Sequence, residues 1–369
     1  MSRETTPSRP PRRRRGSAGL IAAIAVAAIV VAAVAGVFAF ALLRPEPTPV
    51  AASPTATVSA PTPTPAPTAS PTPTAIPEAP ATPAPTVPAP PVSPATQICE
   101  GAPTTLSIWA HPDDDIIFAN PTISSAIAAG ECVRTVFVTA GDAGKGGRYV
   151  SGRELGILRA YNAMRGADGL WDATDLTLDS GLHVRRLTPQ GDPRVSVLFL
   201  RLPDGNITGA GFDATGHATL SKLYDGVIPA ISPFDGGAGV SRDQLVASLR
   251  ELAGAFAPTH LLTHIPRGSA FAPGDHPDHS LVGTLVRDTL SSDPAVGPGI
   301  RYFVGYPSAD LPRNVDGATL DTKVDTYRIY TQQDEVIRCA DRNACLGTRK
   351  FGEWLRRSYP KAEAELQMG

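Results

Sequence analysis

The chain has 369 residues with a formal net charge of −2, and 18% of its residues are charged. A nucleic-acid-binding protein carries a basic patch or stripe, whereas the only basic cluster here, residues 12–15, lies at the extreme N-terminus. We therefore expect no nucleic-acid partner. Because the composition changes sharply along the chain, its parts are best considered one after another.

Residues 18–43 carry no charge and are almost entirely apolar. At ~1.5 Å per residue, a helix of this length crosses the ~30 Å hydrocarbon core of a membrane with some tilt. The arginines before it predict a cytoplasmic basic tail at residues 1–17 and an extracellular location for everything that follows. We expect a single-pass signal anchor in the cell membrane. The alternative is a cleaved signal peptide, with residues 50–53 as the cleavage region.

Residues 44–97 consist almost wholly of Pro, Ala, Thr, Ser and Val. This composition cannot bury a hydrophobic core, and it favours extended polyproline II conformations. We predict a disordered stalk that holds the following domain away from the bilayer.

Residues 98–369 have a globular composition in which short apolar runs alternate with helical patterns. The predicted strands are 104–110, 133–139, 195–200 and 259–264, and the predicted helices are 121–130, 153–165 and 242–256. This alternation predicts an α/β domain, Rossmann-like, with a mostly parallel sheet and helices on both faces. Ligands of such a sheet bind at the carboxyl ends of its strands.

All four cysteines fall in the part of the chain that is predicted to lie outside the cytoplasm, where disulfides persist. Cys99 and Cys132 each immediately precede one of the first two strands, and Cys339 and Cys345 can close one short loop. We favour this pairing over the two other possible ones. No cysteine spacing is typical of a zinc site, so the cysteines are predicted to be structural.

Two short motifs carry the chemistry. Residues 111–115, His-Pro-Asp-Asp-Asp, follow the first strand at the edge where a parallel sheet binds ligands, and residues 276–279, His-Pro-Asp-His, open a helix. Catalytic zinc needs three protein ligands of His or carboxylate type and one open position. His111 and Asp114 can supply two ligands, and the second motif can supply the third. We therefore expect one zinc ion, with the second nitrogen of each ligand histidine held by a carboxylate or main-chain oxygen.

These motifs resemble the two signatures of the PIG-L/LmbE-like deacetylases, which are zinc-dependent enzymes that remove acetyl from N-acetylglucosamine-type sugars. The resemblance covers roughly residues 104–359, with weaker support at residues 141–142, 152–154 and 202–205. It implies that zinc is held by His111, Asp114 and His279. It further implies that Asp113 is the general base and that His276 assists catalysis, with Asp278 orienting or supporting His276.

Further positions are candidates with less support. We expect Arg153, Asp142 and Asp204 to contact the substrate, and His264 to line the site from the end of its strand. The family pattern usually has Glu after the paired aspartates, where this chain has Asp115. That shorter carboxylate is not an expected ligand, but its contacts should shift.

The sequence thus predicts a zinc-dependent N-deacetylase that acts outside the cytoplasm on an N-acetylglucosamine-type sugar or glycoconjugate. One alternative is a cell-surface module that binds a glycan without cleaving it. Another is a zinc hydrolase of a different amide or ester. The variant Asp113→Asn separates an enzyme, which would keep its zinc and lose turnover, from a binding module, whose glycan affinity would not change.

Overall fold

The apolar runs that follow Cys99 and begin at Cys132 form neighbouring parallel strands inside one eight-stranded sheet. The structure is a computed structural model that describes residues 92–97 and 99–369. Its strands are β1 (Thr104–Trp109), β2 (Cys132–Thr139), β3 (Trp171–Thr177), β4 (His183–Pro189), β5 (Val195–Leu202), β6 (His260–His264), β7 (Ile300–Phe303) and β8 (Pro360–Lys361). Its helices are α1 (Thr122–Ala128), α2 (Gly147–Met164), α3 (Leu220–Tyr224), α4 (Arg242–Phe256), α5 (Pro277–Leu290), α6 (Gly317–Thr331), α7 (Arg342–Gly347) and α8 (Phe351–Leu355).

The strands lie in the order β3-β4-β5-β2-β1-β6-β7-β8. The five inner strands, from β5 to β7, pair parallel, whereas β3, β4 and β8 pair antiparallel at the edges. The predicted α/β fold with a mostly parallel sheet is therefore confirmed. The hairpin of β3 and β4 was not predicted, because β3 is largely exposed and has no apolar alternation to mark it.

Helices cover both faces of the sheet. On one face, Leu106 of β1 belongs to the same buried core as Leu249 of α4 and Leu281 of α5. On the other face, Phe137 of β2 belongs to a second core that includes Ile157 of α2. Successive side chains of a strand point to opposite faces, so strands that are covered on both sides read as continuous apolar runs.

Local signals account for the helix boundaries. Helix α4 has the predicted bounds because the Ser241 side chain accepts from the Gln244 N–H while the Gln244 side chain accepts from the Ser241 N–H. Helix α5 starts with Pro277, which needs no N–H partner in the first turn. Helix α2 begins before the predicted residue 153, because Tyr149 and Val150 already bury side chains in its first turns.

Both predicted disulfides, Cys99–Cys132 and Cys339–Cys345, are confirmed. The Cα atoms of Cys99 and Cys132 lie 5.9 Å apart, and Thr104 of β1 is the register partner of Cys132. The first bridge therefore ties the segment before β1 to the start of β2. The second bridge joins the connection between α6 and α7, at Cys339, to Cys345 within α7.

The predicted tail and membrane anchor, and the stalk up to residue 91, lie outside the described residues. Across residues 92–97 and 99–369, the helices are not long and apolar enough to cross a membrane. The last residues of the predicted stalk contact the folded domain. Ala95 is completely buried in the first core, and Ser93 Oγ donates to Glu251 Oε1 at 2.6 Å.

Candidate metal centre and active site

The carboxyl ends of the parallel strands meet at one edge of the sheet and carry polar or aromatic side chains there. β1 leads into His111 and β5 into Asp204, while β6 ends on His264. β7 leads into Tyr306. Because β1 lies between β2 and β6, the order of strands reverses direction here, and such a switch point is where open α/β sheets bind ligands.

The three predicted metal ligands approach one another as donors around one ion do. His111 Nδ1 lies 3.2 Å from His279 Nε2 and 3.3 Å from Asp114 Oδ2, and His279 Nε2 lies 3.0 Å from Asp114 Oδ1. Donors bound about 2.0–2.1 Å from a tetrahedral zinc ion are about 3.3 Å apart. All three side chains are buried. The spacing therefore fits a zinc-sized cation, and we call these three donors the metal triangle.

Both histidines of the metal triangle have a carboxylate on the ring nitrogen that faces away from it. Asp278 Oδ2 lies 3.3 Å from His111 Nε2, and Asp275 Oδ1 lies 2.8 Å from His279 Nδ1. Such a partner keeps the proton on the outer nitrogen and leaves the inner lone pair for a metal. Asp278 was expected to orient or support His276, yet its carboxylate is nearer to His111 and lies 4.0 Å from His276 Nδ1.

Two more histidines lie close enough to extend the set of donors. His264 Nε2 lies 3.2 Å from both the Ala110 main-chain nitrogen and Asp114 Oδ2, so this histidine contacts the first motif. His276 Nδ1 accepts from the Asp278 N–H at 3.2 Å, so the remaining proton of a neutral ring sits on Nε2, 3.8 Å from Asp204 Oδ1. His264 is fully buried, and its predicted role in lining the site stays a prediction.

The electrostatics of the metal triangle favour a cation. Burial alone would raise the pKa of Asp114, but the surrounding histidines, His279 foremost, hold it well below its ordinary value. Burial alone would lower the pKa of His279, but Asp114 and Asp275 raise it to about 9. The carboxylates thus create a negative field at the inner nitrogens, and this field attracts a divalent ion as it attracts protons.

Asp113 belongs to a separate network beside the metal triangle. Its Oδ1 accepts from Arg153 Nη2, and burial raises the pKa of Asp113 to about 6 although Arg153 opposes the rise. Arg153 also donates from Nη1 to the Gly141 carbonyl and from Nε to the Tyr330 hydroxyl, each at 2.8 Å. Gly141 has a φ of 56°, and a Cβ there would collide with the guanidinium. Arg153 lines the cleft, and its substrate contact stays a prediction.

The two other predicted substrate contacts differ in position. Asp204 lies in the cleft wall, whereas Asp142 is fully buried behind it. The Asp142 oxygens accept from the Asp204 N–H and the Gly144 N–H, both at 3.0 Å. Asp142 therefore ties the loops after β2 and β5 together. The next residue, Gly205, donates its N–H to Asp278 Oδ2 at 2.7 Å, and a Cβ on it would collide with that carboxylate.

Asp115, which replaces the family's usual Glu, turns into the second core. Its Oδ2 accepts from the Tyr161 hydroxyl of α2 at 2.8 Å, and burial raises the pKa of Asp115 to about 7. It begins a π-helical turn, Asp115–Ala119, that is completely buried. The carboxylate thus anchors the first motif to α2 and takes no part in the metal triangle.

A cleft of about 400 Å³ opens onto these groups. His111, Asp113 and Asp114 line this cleft, and so do Tyr306 and Trp354, whose rings stack with centroids 4.2 Å apart. Pockets of this size are within the range that holds small ligands. The cleft is therefore large enough for a sugar next to the metal triangle.

Sequence reasoning missed Asp275, Tyr306, Tyr330 and Asp334. Asp275 was within reach, because it directly precedes the second motif and stands only four residues before a ligand histidine. Tyr330 and Asp334 are also four apart, and the Tyr330 hydroxyl donates to Asp334 Oδ2 at 3.0 Å. No motif marks these two residues or Tyr306, so only the fold brings them to the site.

Comparison with known families agrees with this geometry. The family model described as "PIG-L: GlcNAc-PI de-N-acetylase" matches residues 106–290, which include both motifs and half of the chain. The chain belongs to this family, and membership places it among the de-N-acetylases. No curated protein matches the sequence.

Solved structures show distant similarity. The N,N'-diacetylchitobiose deacetylase of Pyrococcus horikoshii is 17% identical, and the alignment covers 63% of this chain and 72% of the deacetylase, with a TM-score of 0.36. The 4-carboxy-2-hydroxymuconate hydratase of Pseudomonas putida KT2440 is 12% identical, and the alignment covers 69% of this chain and 82% of the hydratase, with a TM-score of 0.37. A deacetylase of the teicoplanin biosynthesis pathway is 16% identical, and the alignment covers 62% of this chain and 84% of that deacetylase, with a TM-score of 0.39.

Proposed function

We propose that this protein is a zinc-dependent N-deacetylase that acts on an N-acetylglucosamine-type sugar or glycoconjugate outside the cytoplasm. The observation that carries the proposal is the metal triangle of His111, Asp114 and His279, in which both imidazoles are backed by a carboxylate. Asp113 lies next to this triangle in the sequence and in the cleft wall, and it is not one of the three donors.

The residues of the metal triangle would hold one divalent ion. When bound, that ion supplies Lewis-acid chemistry, polarising an amide carbonyl and making a water molecule more acidic. Burial raises the pKa of Asp113 to about 6, so at neutral pH its carboxylate is ionised and is a stronger base than an ordinary aspartate.

Asp113 is the proton acceptor in the proposed reaction. It takes a proton from a water molecule while the water oxygen forms a bond to the acetyl carbonyl carbon. The carbon–nitrogen bond then breaks as the sugar nitrogen takes up the proton that Asp113 holds, which gives acetic acid and the free amine. The remaining proton of the acid passes through solvent to the amine, so the products at neutral pH are acetate and the ammonium form of the amino sugar. Arg153 keeps the Asp113 carboxylate in place, because its two other partners, the Tyr330 hydroxyl and the Gly141 carbonyl, fix the guanidinium group.

His276 contributes a hydrogen bond from the other side of the cleft. Because its Nδ1 accepts the Asp278 N–H as the cap of α5, the neutral ring carries its proton on Nε2. An N–H in this position can donate to the oxygen that gains negative charge as the carbonyl is attacked. The proposed role of His276 is therefore to stabilise that oxyanion, and Asp278 holds the tautomer through its main chain.

The proposed location follows from the sequence. The apolar stretch at residues 18–43 and the arginines before it support a single-pass anchor with the N-terminus in the cytoplasm. Two disulfides in the described domain support a site outside the cytoplasm, where disulfides persist. The partners we propose are the membrane and an N-acyl sugar.

The test measures zinc content and acetate release by the full chain, incubated with N-acetylglucosamine and its oligomers. Asp113→Asn should bind zinc as the wild type does and lose about 10²–10⁴-fold in turnover, because it removes the proton acceptor and leaves the three ligands. Asp168→Asn, at an exposed carboxylate outside the cleft, is the matched control and should keep full activity.

His279→Ala removes one donor of the metal triangle and should lose stoichiometric zinc. Full zinc in His279→Ala would show that the ligand assignment is wrong. Zinc without acetate release by the wild type would overturn the deacetylase and point to another amide or ester. Glycan binding that is the same in Asp113→Asn and the wild type, without turnover in either, would point to a binding module.

A further inference from the structure

Buried polar atoms without a protein partner are concentrated on one side of the sheet. Across residues 92–97 and 99–369, twelve buried side-chain nitrogen and oxygen atoms have no hydrogen-bond partner. Five of the twelve belong to four residues, which we call the guanidinium cluster: Arg134 Nε and Nη2, Arg186 Nε, Ser196 Oγ and Gln97 Oε1. Most buried polar atoms in proteins have a partner, so exceptions that occur together require a common explanation.

The strand register brings the members of the guanidinium cluster together. Arg134 of β2 and Ser196 of β5 are register partners, and Arg186 of β4 pairs with the residue two positions beyond Ser196. Side chains two positions apart on a strand point to the same face, so all three point to the face that α4 covers. Gln97 reaches them from the segment before β1, because its Nε2 and Arg134 Nη1 donate to the same Pro193 carbonyl at 2.9 and 3.0 Å. The unpartnered atoms therefore lie in one region beneath that segment.

The charge of Arg134 has no counter-ion within the part of the chain that the structure describes. Arg134 is completely buried, and its guanidinium donates only to the main-chain carbonyls of Pro193 and Arg194. Asp192, in the same turn, pairs with Arg194 instead. Burial and the nearby Arg186 charge lower the pKa of Arg134 to about 10, so the group stays charged at neutral pH. A charge in the interior of a protein is stable only with an opposite charge beside it.

The chemistry of the guanidinium cluster suits a small anion. Its unpartnered atoms are four donors, on Arg134, Arg186 and Ser196, and one acceptor, on Gln97. A halide ion accepts from several donors at once and supplies the missing negative charge. Water would satisfy the hydrogen bonds and leave the charge without a counter-ion. Phosphate needs donors for four oxygens, and the complete burial of Arg134 and Ser196 favours the smaller ion.

We propose that the guanidinium cluster binds one chloride ion, which joins the segment before β1 to the sheet. Arg186 Nη1 also donates to the Ala95 carbonyl at 3.2 Å, so the groups that hold the ion hold the main chain of this segment as well. Arg134 and Ser196 stand near the amino ends of β2 and β5, whereas the metal triangle lies at the carboxyl ends of the strands. The site is therefore separate from the cleft, and the inference does not depend on the proposed deacetylase function.

The test replaces gluconate with chloride at constant ionic strength and follows urea unfolding of the full chain. One ion binds only the folded state, so above its dissociation constant each tenfold rise in chloride should lower the equilibrium constant of unfolding about tenfold. Arg134→Met should abolish this dependence, because it removes two of the four donors and the buried charge. Ser196→Ala removes one donor and should raise the chloride concentration that is needed by about tenfold. Arg194→Met, at a half-exposed arginine that pairs with Asp192, is the matched control and should keep the wild-type dependence.

Each outcome decides the inference. A chloride dependence that is the same in the wild type, Arg134→Met and Ser196→Ala would be a general salt effect and would overturn it. The lack of any dependence in wild-type protein dialysed free of chloride would overturn it as well. If Arg134→Met does not fold, Ser196→Ala and Arg194→Met are compared. A shift to higher chloride in Ser196→Ala alone would support the site, and equal dependence in both variants would overturn it.

Discussion

Two parts of the chain line the cleft, and their side chains are positioned in different ways. The first wall, from residues 106–290, carries the metal triangle and Asp113 together with apolar residues such as Ile207. Each functional side chain of this wall has its position set by a hydrogen bond or ion pair, as Asp278 and Asp275 do for the two histidines. The wall from residues 306–354 is aromatic and aliphatic, and packing positions most of its side chains. The first wall suits bond making and proton transfer, whereas the second suits the selection of a substrate.

The largest expected effect is on zinc affinity, and it should differ between two buried carboxylates, Asp275 in the first part of the chain and Asp334 in the second. Asp275→Asn keeps a hydrogen-bond acceptor near His279 Nδ1 but removes its charge, so zinc affinity should fall about 10–100-fold, as is typical of such partners. Asp334→Asn changes an equally buried residue that binds two tyrosines and no histidine, and zinc affinity should not change. Competition with a chromophoric chelator measures both. Equal losses in the two variants would contradict the division between the walls.

A smaller effect, on the free energy of unfolding, is expected from Lys323 of α6. This residue lies within residues 306–354, the part of the chain that forms the second wall. This lysine is buried, its Nζ donates to the Arg357 carbonyl at 2.6 Å, and burial lowers its pKa to about 7. Between that value and the ordinary lysine pKa, the unfolded chain binds a proton that the folded chain lacks. The free energy of unfolding should therefore rise with pH above 7, by about 1.4 kcal/mol per pH unit at most.

Urea denaturation of the full chain at pH 7.0 and pH 8.5 tests this prediction. Lys323→Met should remove about 1–2 kcal/mol of the rise, because methionine does not titrate. Lys222→Met is the matched control, since the Lys222 Nζ also donates to a main-chain carbonyl but lies near the surface, and it should leave the rise unchanged. The same pH dependence in wild type and Lys323→Met would show that Lys323 is charged in the folded protein.

The difference between the two parts of the chain that line the cleft also explains how much of the structure the sequence could predict. Runs such as β1 and motifs such as residues 276–279 have local patterns, so the parallel sheet, helix α4 and both disulfides followed from the sequence. The grouping of His111 and Asp114 with the second motif followed in the same way, whereas the choice of His279 came from the family resemblance. Helix α6 and the aromatic stack arise from contacts between residues far apart in the chain, which no local pattern records. The burial of Asp142 behind the cleft was not predicted, because one of its two main-chain partners, the Asp204 N–H, is brought near it only by the fold.

The smallest expected effect is on the free energy of unfolding, and it tests whether the backbone at Lys350 is strained. Lys350→Gly allows the positive φ without a clash of Cβ, so it relieves backbone strain in the folded state. Glycine also adds conformational entropy to the unfolded chain, which opposes this gain. We expect the relief of strain to be larger, so the variant should be more stable by about 0.5–1 kcal/mol. Arg349→Gly, one residue earlier and without a positive φ, should instead destabilise by about 0.5–1 kcal/mol. Urea denaturation measures both changes. A loss of stability in Lys350→Gly would mean that contacts of the lysine side chain, and not strain, determine the energy of this turn.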